Sequence, residues 1–371
     1  MNGELVKDLQ AKIILHWNAR NFTTLPNELQ HYGSHAKEIY LRWNNIHVLP
    51  SWIGFNLTSL TNLYLEFNKL NSIPNELSFL KNLETLHLDS NNFTTIPEPI
   101  FKLSALKCLK FSRNLIKSIP KDIKMLNHLE CLDISGNLLK FLPFEISFCV
   151  NLREINLGEN QLLWLPRSMT RLPKLEIISV ETNSLHFLPA LPFRSLPIID
   201  IRLNSKLNWC SIQALGQKFV NLDHCGEGVS LEKRCGDWTI VSQQFIETRC
   251  SGCTQTIFLP SDLRISHQNE STVSSLVELS QRVVYEKFYA ICQNEDLGCK
   301  DEEEAMDVDE DLKHFKLPKE IEKRLEQGPS AICFKCQRPL FTHVYLSVTH
   351  SNVIQIPHCL VFYCSKSCAS E

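Results

Sequence analysis

Three close cysteine pairs carry the most specific chemistry in this sequence. Cys333 and Cys336 stand in "CFKC", Cys364 and Cys368 in "CSKSC", and Cys250 and Cys253 in "RCSGC". Two such pairs mounted on a small β-ribbon place four thiolates around one point, which is the tetrahedral arrangement of a structural zinc site. Soft sulfur ligands favour zinc over magnesium or calcium. Four protein ligands leave no open position, so the metal would staple the chain rather than catalyse. The segment between the first two pairs, "PLFTHVYLSVTHSNVIQIPHCLVFY", reads as two or three strands. His358 and Cys359 lie close enough to the last pair to substitute for a ligand. For Cys250 and Cys253 the available partners are Cys225, Cys235, Cys292 and Cys299, with His224 and His267 behind them. One zinc is expected, and a second if that pair finds partners; free buried thiols are the alternative there.

The fifteen cysteines are unevenly placed, with only Cys108, Cys131 and Cys149 before residue 210. Disulfides would be the competing reading. The N-terminal "MNGELVKDLQAKIILHW" contains acidic residues and lacks a cleavable signal layout. The expected location is therefore the cytoplasm or nucleus, where thiols stay reduced. No apolar run approaches the roughly 20 residues needed to span a bilayer, and a net charge of −3 gives no global attraction to nucleic acid or anionic membrane. No nucleophile motif, phosphate loop or paired acid and base is present, so no enzymatic activity is expected.

The elements that position this chemistry follow from a period. "LETLHLDSNNFTTIP", "LKCLKFSRNLIKSIP", "LECLDISGNLLKFLP", "LREINLGENQLLWLP" and "LEIISVETNSLHFLP" end at Pro97, Pro120, Pro143, Pro166 and Pro189, each 23 residues after the last. Pro74, Pro50 and Pro26 extend the series upstream at intervals of 24. A 23-residue repeat of form L-x-x-L-x-L-x-x-N is a leucine-rich repeat. Its L-x-L is a short strand whose leucines point inward. Stacked strands form a parallel sheet in which each repeat completes its neighbour's core. A buried Asn then satisfies backbone groups freed at the turn, read here as Asn18, Asn44, Asn68, Asn91, Asn114, Asn137, Asn160, Asn183 and Asn204. The first repeat is irregular, since Asn18 precedes Pro26 by eight residues where six is the rule. The fold class is α/β: a solenoid of about nine repeats over residues 1–209, a cap or linker over 210–249, and a mixed α+β zinc module over 250–371.

Positions flanking the inward leucines should line a concave face. They include His16, Trp17, Tyr40, Arg42, Trp43, Tyr64, Glu66 and Phe67, followed by His87, Asp89, Lys110, Arg113, Asp133, Asn156, Glu159, Glu181, Asp200 and Arg202. Trp17, Tyr40, Trp43, Tyr64 and Phe67 gather the large rings into the first three repeats, and clusters of exposed aromatics are favoured binding hot spots. With Arg113 they are the expected contacts for a protein target. The alternative is that the N-terminal segment folds over the rings as a cap.

Past the repeats, "SSLVELSQRVVYEKF" carries Leu276, Leu279 and Val283 at helical spacing, with Ser274 or Ser275 as cap. On periodicity alone it reads as a core helix of its domain. Residues 294–315 are dense in Asp and Glu and read as a disordered insertion. Their Asp307, Asp309 and Asp311 lack the Gly and the closing Glu of a calcium loop. Leu317-Pro318 then starts a short helix with Ile321 and Leu325.

These pieces together resemble a group of intracellular leucine-rich repeat proteins whose C-terminal region bears an elongin-binding box, a cullin box and a cysteine knuckle pair. Ser275, Leu276, Leu279, Ser280 and Val284 match the elongin box position by position. Leu317, Pro318, Ile321 and Leu325 match the cullin box, and "ICFKC…VFYCSKSC" matches the ending. The acidic insertion departs from that pattern by stretching the gap between the boxes. The resemblance implies a substrate-recognition adaptor of a cullin-RING ubiquitin ligase, with elongin B/C and a cullin as partners. A scaffold in intracellular signalling is the alternative. Nucleic-acid binding through the zinc module is disfavoured by the acidic insertion and the absence of a basic run.

Overall fold

The structure is a computed structural model. It describes residues 2–186, 188, 195 and 197–207, and the backbone of strands at 209–211, 218–220, 237–242, 245–250, 253–258, 264–265, 331–332, 339–340, 343–349 and 358–363. Two compact units result, the first made of residues 1–185, 193–206 and 217–225, the second of residues 186–192, 207–216 and 226–371.

In the first unit the L-x-L tripeptides become three-residue strands: β1 Ile14–His16, β2 Glu38–Tyr40, β3 Asn62–Tyr64, β4 Thr85–His87, β5 Cys108–Lys110, β6 Cys131–Asp133, β7 Glu154–Asn156, β8 Ile177–Ser179 and β9 Ile198–Asp200. All pair in parallel, each with its sequence neighbour. A tenth strand, Lys218–Val220, adds to β9 in register with it. The sheet thus continues past residue 209, where the sequence places its end, and its last strand comes from the segment expected to cap it.

Register is strict because each of β1 to β9 buries its middle residue. Leu63, Leu86, Leu109, Leu132, Ile155, Ile178 and Ile199 stack in a line, each 0–1 % exposed. Burial of such a side chain is worth about 1.5–3 kcal/mol, and a slip of one residue would turn the whole line to solvent. Phe93 and Phe111 fill the interior edge to face, 5.2 Å apart.

The repeat proline sets the opposite side. Pro74, Pro97, Pro120, Pro143 and Pro166 hold φ between −60° and −69°, the value their rings impose. Each leads into a five-residue 3₁₀ turn such as Glu98–Lys102. Too few residues separate proline from the next strand for more than this tight helix. The earlier repeats use short α-helices instead, α2 Asn27–Tyr32 and α3 Ile53–Asn56.

The N-terminal cap is α1, Asn2–Ala11. It packs beside α2 and buries Leu5 and Leu9. Gly54 permits the tightest contact between convex segments: a Cβ there would stand 1.7 Å from the Glu76 carbonyl oxygen. Gly54→Ala should lower stability by about 2 kcal/mol through overpacking, read as a lower denaturant midpoint in chemical unfolding.

The asparagine ladder runs from Asn44 to Asn204. Each Asn donates to the carbonyl three residues back and to the matching carbonyl of the preceding repeat, as Asn91 does to Leu88 (3.1 Å) and Leu65 (2.9 Å). Its Oδ1 accepts the preceding repeat's freed N–H, here Leu70 at 2.9 Å. Asn18 is not a rung. Ala19 N–H bonds Arg42 O just as Trp43 N–H bonds Glu66 O, so Arg20 holds the ladder position of the first repeat. This restores the six-residue spacing to Pro26. Asn18 sits one row over and accepts Arg42 N–H at 2.8 Å. The terminal repeat has no preceding strand whose carbonyls a ladder amide would satisfy.

In the second unit Asp237–Ser242, Phe245–Cys250 and Cys253–Phe258 form an antiparallel meander, with Cys250 directly opposite Cys253. His343–Thr349 and His358–Tyr363 make a hairpin, and Ala331–Ile332 pairs with Pro339–Leu340. Cys333, Cys336, Cys364 and Cys368 lie outside the described residues. So do Ser275, Leu276, Leu279, Ser280, Val284, Leu317, Pro318, Ile321, Leu325 and the acidic segment 294–315. Among the described residues no helix is long and apolar enough to cross a membrane.

Candidate functional site

The concave face is a grid. Strands lie about 4.8 Å apart, so residues at one repeat position form a row across the sheet. The last strand residues His16, Tyr40, Tyr64 and His87 make the first row. His16 stacks on Tyr40 at 4.7 Å, Tyr40 on Tyr64 at 4.3 Å, and Tyr64 meets His87 edge-on at 4.9 Å. The Tyr40 hydroxyl donates to Glu38 at 2.9 Å; burial first, and this carboxylate next, push the phenol upward.

Three residues further along, Trp43 and Phe67 stack at 5.3 Å. Both are in the left-handed conformation, φ 54° and 55°. That position is left-handed in every repeat, occupied elsewhere by Ala19, Ser90, Arg113, Gly136, Glu159, Thr182 and Leu203. It carries the side chain out over the sheet. Trp43 is 55 % and Phe67 42 % exposed, so α1 caps the end of the array and leaves these rings open.

Trp17 departs from expectation. It is fully buried, because it holds the second inward position of its repeat, where Leu41, Leu65 and Leu88 stand in the next three. It belongs to the core and not to the concave surface. Tyr40 and Tyr64 are half-buried by their mutual stacking, and Arg113 is exposed.

Between the aromatic rows runs an electrostatic row. The Arg42 guanidinium lies over Tyr64 at 4.9 Å and Tyr40 at 5.6 Å, and its Nε donates to Glu66 at 3.0 Å. Glu66 Oε1 also faces His87 Nδ1 at 3.1 Å. His87 Nε2 faces Cys108 Sγ at 3.7 Å. Burial opposes the imidazolium, yet the partners Cys108 and Glu66 outweigh it and lift His87 to about 9. Sequence reasoning missed Cys108 and Cys131; their alignment with His87 exists only once the repeats stack.

Glu66, His87 and Asp89 offer ligand atoms within 4.8 Å of one another. Glu66 is already matched by Arg42 and His87, and Asp89 accepts Ser112 N–H at 2.7 Å. Burial raises Asp89, partly countered by that hydrogen bond. The cluster is satisfied by its own cations and donors. Beside it opens a groove of about 330 Å³, floored by Asp89, Lys110, Ser112, Asp133 and Ser135 and edged by Phe67, Arg113 and Glu159. A ring platform leading into a groove of mixed charge suits an extended peptide carrying both apolar and charged side chains.

Residues 34–93 and 81–139 match the family profile described as leucine rich repeat. These are leucine-rich repeats. The repeats are similar to a solved plant peptide hormone receptor, RGFR1, in complex with RGF2, at 25% identity and a TM-score of 0.41, over 53% of this chain and 34% of that one. This chain therefore spans about a third of that receptor's length. No curated protein matches the chain.

Proposed function

We propose that this protein is a recognition subunit that holds a protein target on the concave face of its leucine-rich repeats and presents it, through its C-terminal half, to a cullin-RING ubiquitin ligase containing elongin B/C. One observation carries the recognition half: the exposed Trp43–Phe67 stack beside the charged groove. Aromatic rings held rigidly at a surface give up little side-chain entropy on binding, and such anchors dominate interface energetics.

The delivery half rests on the sequence. Leu276 and Leu279, with Ser280 on the same helical stripe, would enter an apolar groove on elongin C. Leu317, Pro318, Ile321 and Leu325 would meet the cullin. Cys333, Cys336, Cys364 and Cys368 supply four thiolates for a structural zinc that holds this region together. Cys250 and Cys253 face each other across the end of a hairpin, a backbone placement that suits two ligands of one further metal.

Leu279→Glu should abolish co-purification of elongins B and C from cells while leaving the solenoid's circular dichroism and melting unchanged. Wild-type protein that recovers its target and no elongin would remove the ligase assignment. The remaining reading would be a scaffold acting in signalling without ubiquitin transfer.

A further inference from the structure

Cys108 and Cys131 occupy equivalent positions on β5 and β6, directly paired in the parallel register. Both are half-buried on the concave face and both are free thiols. Neighbouring parallel strands hold such Cα atoms about 4.8 Å apart, inside the Cα window of a disulfide. Cys108 also faces His87 Nε2 at 3.7 Å, and His87 is fixed from behind by Glu66 at 3.1 Å. A thiol, an imidazole and an orienting carboxylate in line is the arrangement that activates a cysteine nucleophile. The geometry points to a redox-active dithiol on the recognition face, with Cys108 as the peroxide-reactive thiolate and Cys131 as the thiol that resolves it to a disulfide.

The surroundings agree in sign. The Cys131 thiol beside it is the largest influence drawing Cys108 down, opposed by burial and assisted by His87 and Lys110. Cys131 moves up, first through Cys108 and then through burial. The other charged groups facing the pair are Glu66, two residues past β3, and Glu154 on β7, with Asp133 closing β6. Cys149 is an internal contrast. Its thiol is buried, donates to Ile123 O at 3.4 Å, and burial pushes it up to about 12.

The chemistry balances with a hydroperoxide as oxidant. Cys108 thiolate attacks the terminal oxygen and the O–O bond breaks. With hydrogen peroxide the departing hydroxide takes the proton of the His87 imidazolium and leaves as water. Cys108 is then a sulfenic acid. The Cys131 sulfur attacks it and the S–O bond breaks. The thiol proton leaves with hydroxide as a second water, and the disulfide remains. Two thiols are oxidised by two electrons and one peroxide is reduced.

The test uses the purified full-length chain, zinc-replete, reduced and then desalted. Limited iodoacetamide labelling between pH 5 and 9, read by peptide mass spectrometry, should give Cys108 a reactivity plateau well below the ordinary thiol midpoint of about 8.5. Cys149 should label only after unfolding. Stoichiometric hydrogen peroxide should join peptide 108–110 to peptide 125–140, which are consecutive tryptic cuts around the two cysteines. In Cys131→Ser, Cys108 should persist as a sulfenic acid trapped by dimedone. His87→Asn should slow Cys108 labelling at pH 6 by about tenfold or more. Should that variant not fold, the wild-type pH profile decides. An ordinary-thiol profile for Cys108, or peroxide treatment that leaves 108–110 and 125–140 unjoined, overturns the proposal.

Discussion

Asn114→Leu should lower the stability of the repeat array by about 2–3 kcal/mol, because Phe93 N–H is left buried without its acceptor while the Leu88 and Phe111 carbonyls each lose one of two amide donors, keeping those of Asn91 and Asn137. Asn114 is 6 % exposed. Its Nδ2 donates to Leu88 O and Phe111 O, both at 3.0 Å, and its Oδ1 accepts Phe93 N–H at 3.0 Å. Leucine has nearly the same volume and none of these capacities. Because stability in a stacked array is a sum of nearest-neighbour terms, breaking one rung in the middle weakens two interfaces and favours partial unfolding. Urea denaturation followed by far-UV circular dichroism should show an earlier and broader transition. Asn18→Leu is the matched control. Asn18 is only half-buried and makes one described bond, to Arg42 N–H, so its loss should cost about 1 kcal/mol. Equal costs for the two variants would overturn the ladder assignment.

Replacing both Trp43 and Phe67 by asparagine should separate binding from folding. A bulky residue in the left-handed region carries about 1–2 kcal/mol of strain that asparagine largely escapes. The stack it forfeits is worth about 0.5–1.5 kcal/mol. Relief at both positions exceeds the one lost stack, so the melting temperature should not fall below that of the wild type. Recovery of the target by affinity capture should nevertheless fall by about 30-fold or more, the loss of at least 2 kcal/mol usual for a paired aromatic hot spot. A structural role predicts the reverse: a lower melting temperature with the target still retained. Arg113→Ala, at the same repeat position but over the charged groove, should weaken recovery less and make what remains less sensitive to salt.

Much of the array was legible because its causes are local. Proline every 23 residues fixes φ at the start of each convex turn. Alternating leucines choose the inner face, and the tripeptide between them has room for one short strand. Each follows from residues within one repeat. The first repeat shows where that reasoning ends. "WNARN" offers two asparagines and neither is the ladder residue. Only the hydrogen bonds to the second strand place Arg20 there and turn Asn18 aside. Trp17 was misplaced for a related cause: read as an aromatic it suggests a surface anchor, but counting from Leu15 it takes an inward position, and packing buries it.

The sequence by itself determined the solenoid, its parallel register and the row of positions that face a target. Tertiary structure alone decided what those rows contain. Glu66, His87, Cys108 and Cys131 each belong to a different repeat and are unexceptional within it. Stacking sets them side by side, where 3.1 Å and 3.7 Å contacts make one connected group. A period tells which residues share a position along the repeat. The electrostatics of a site depends on which side chains then meet across it, and that is settled by distances only the folded array creates.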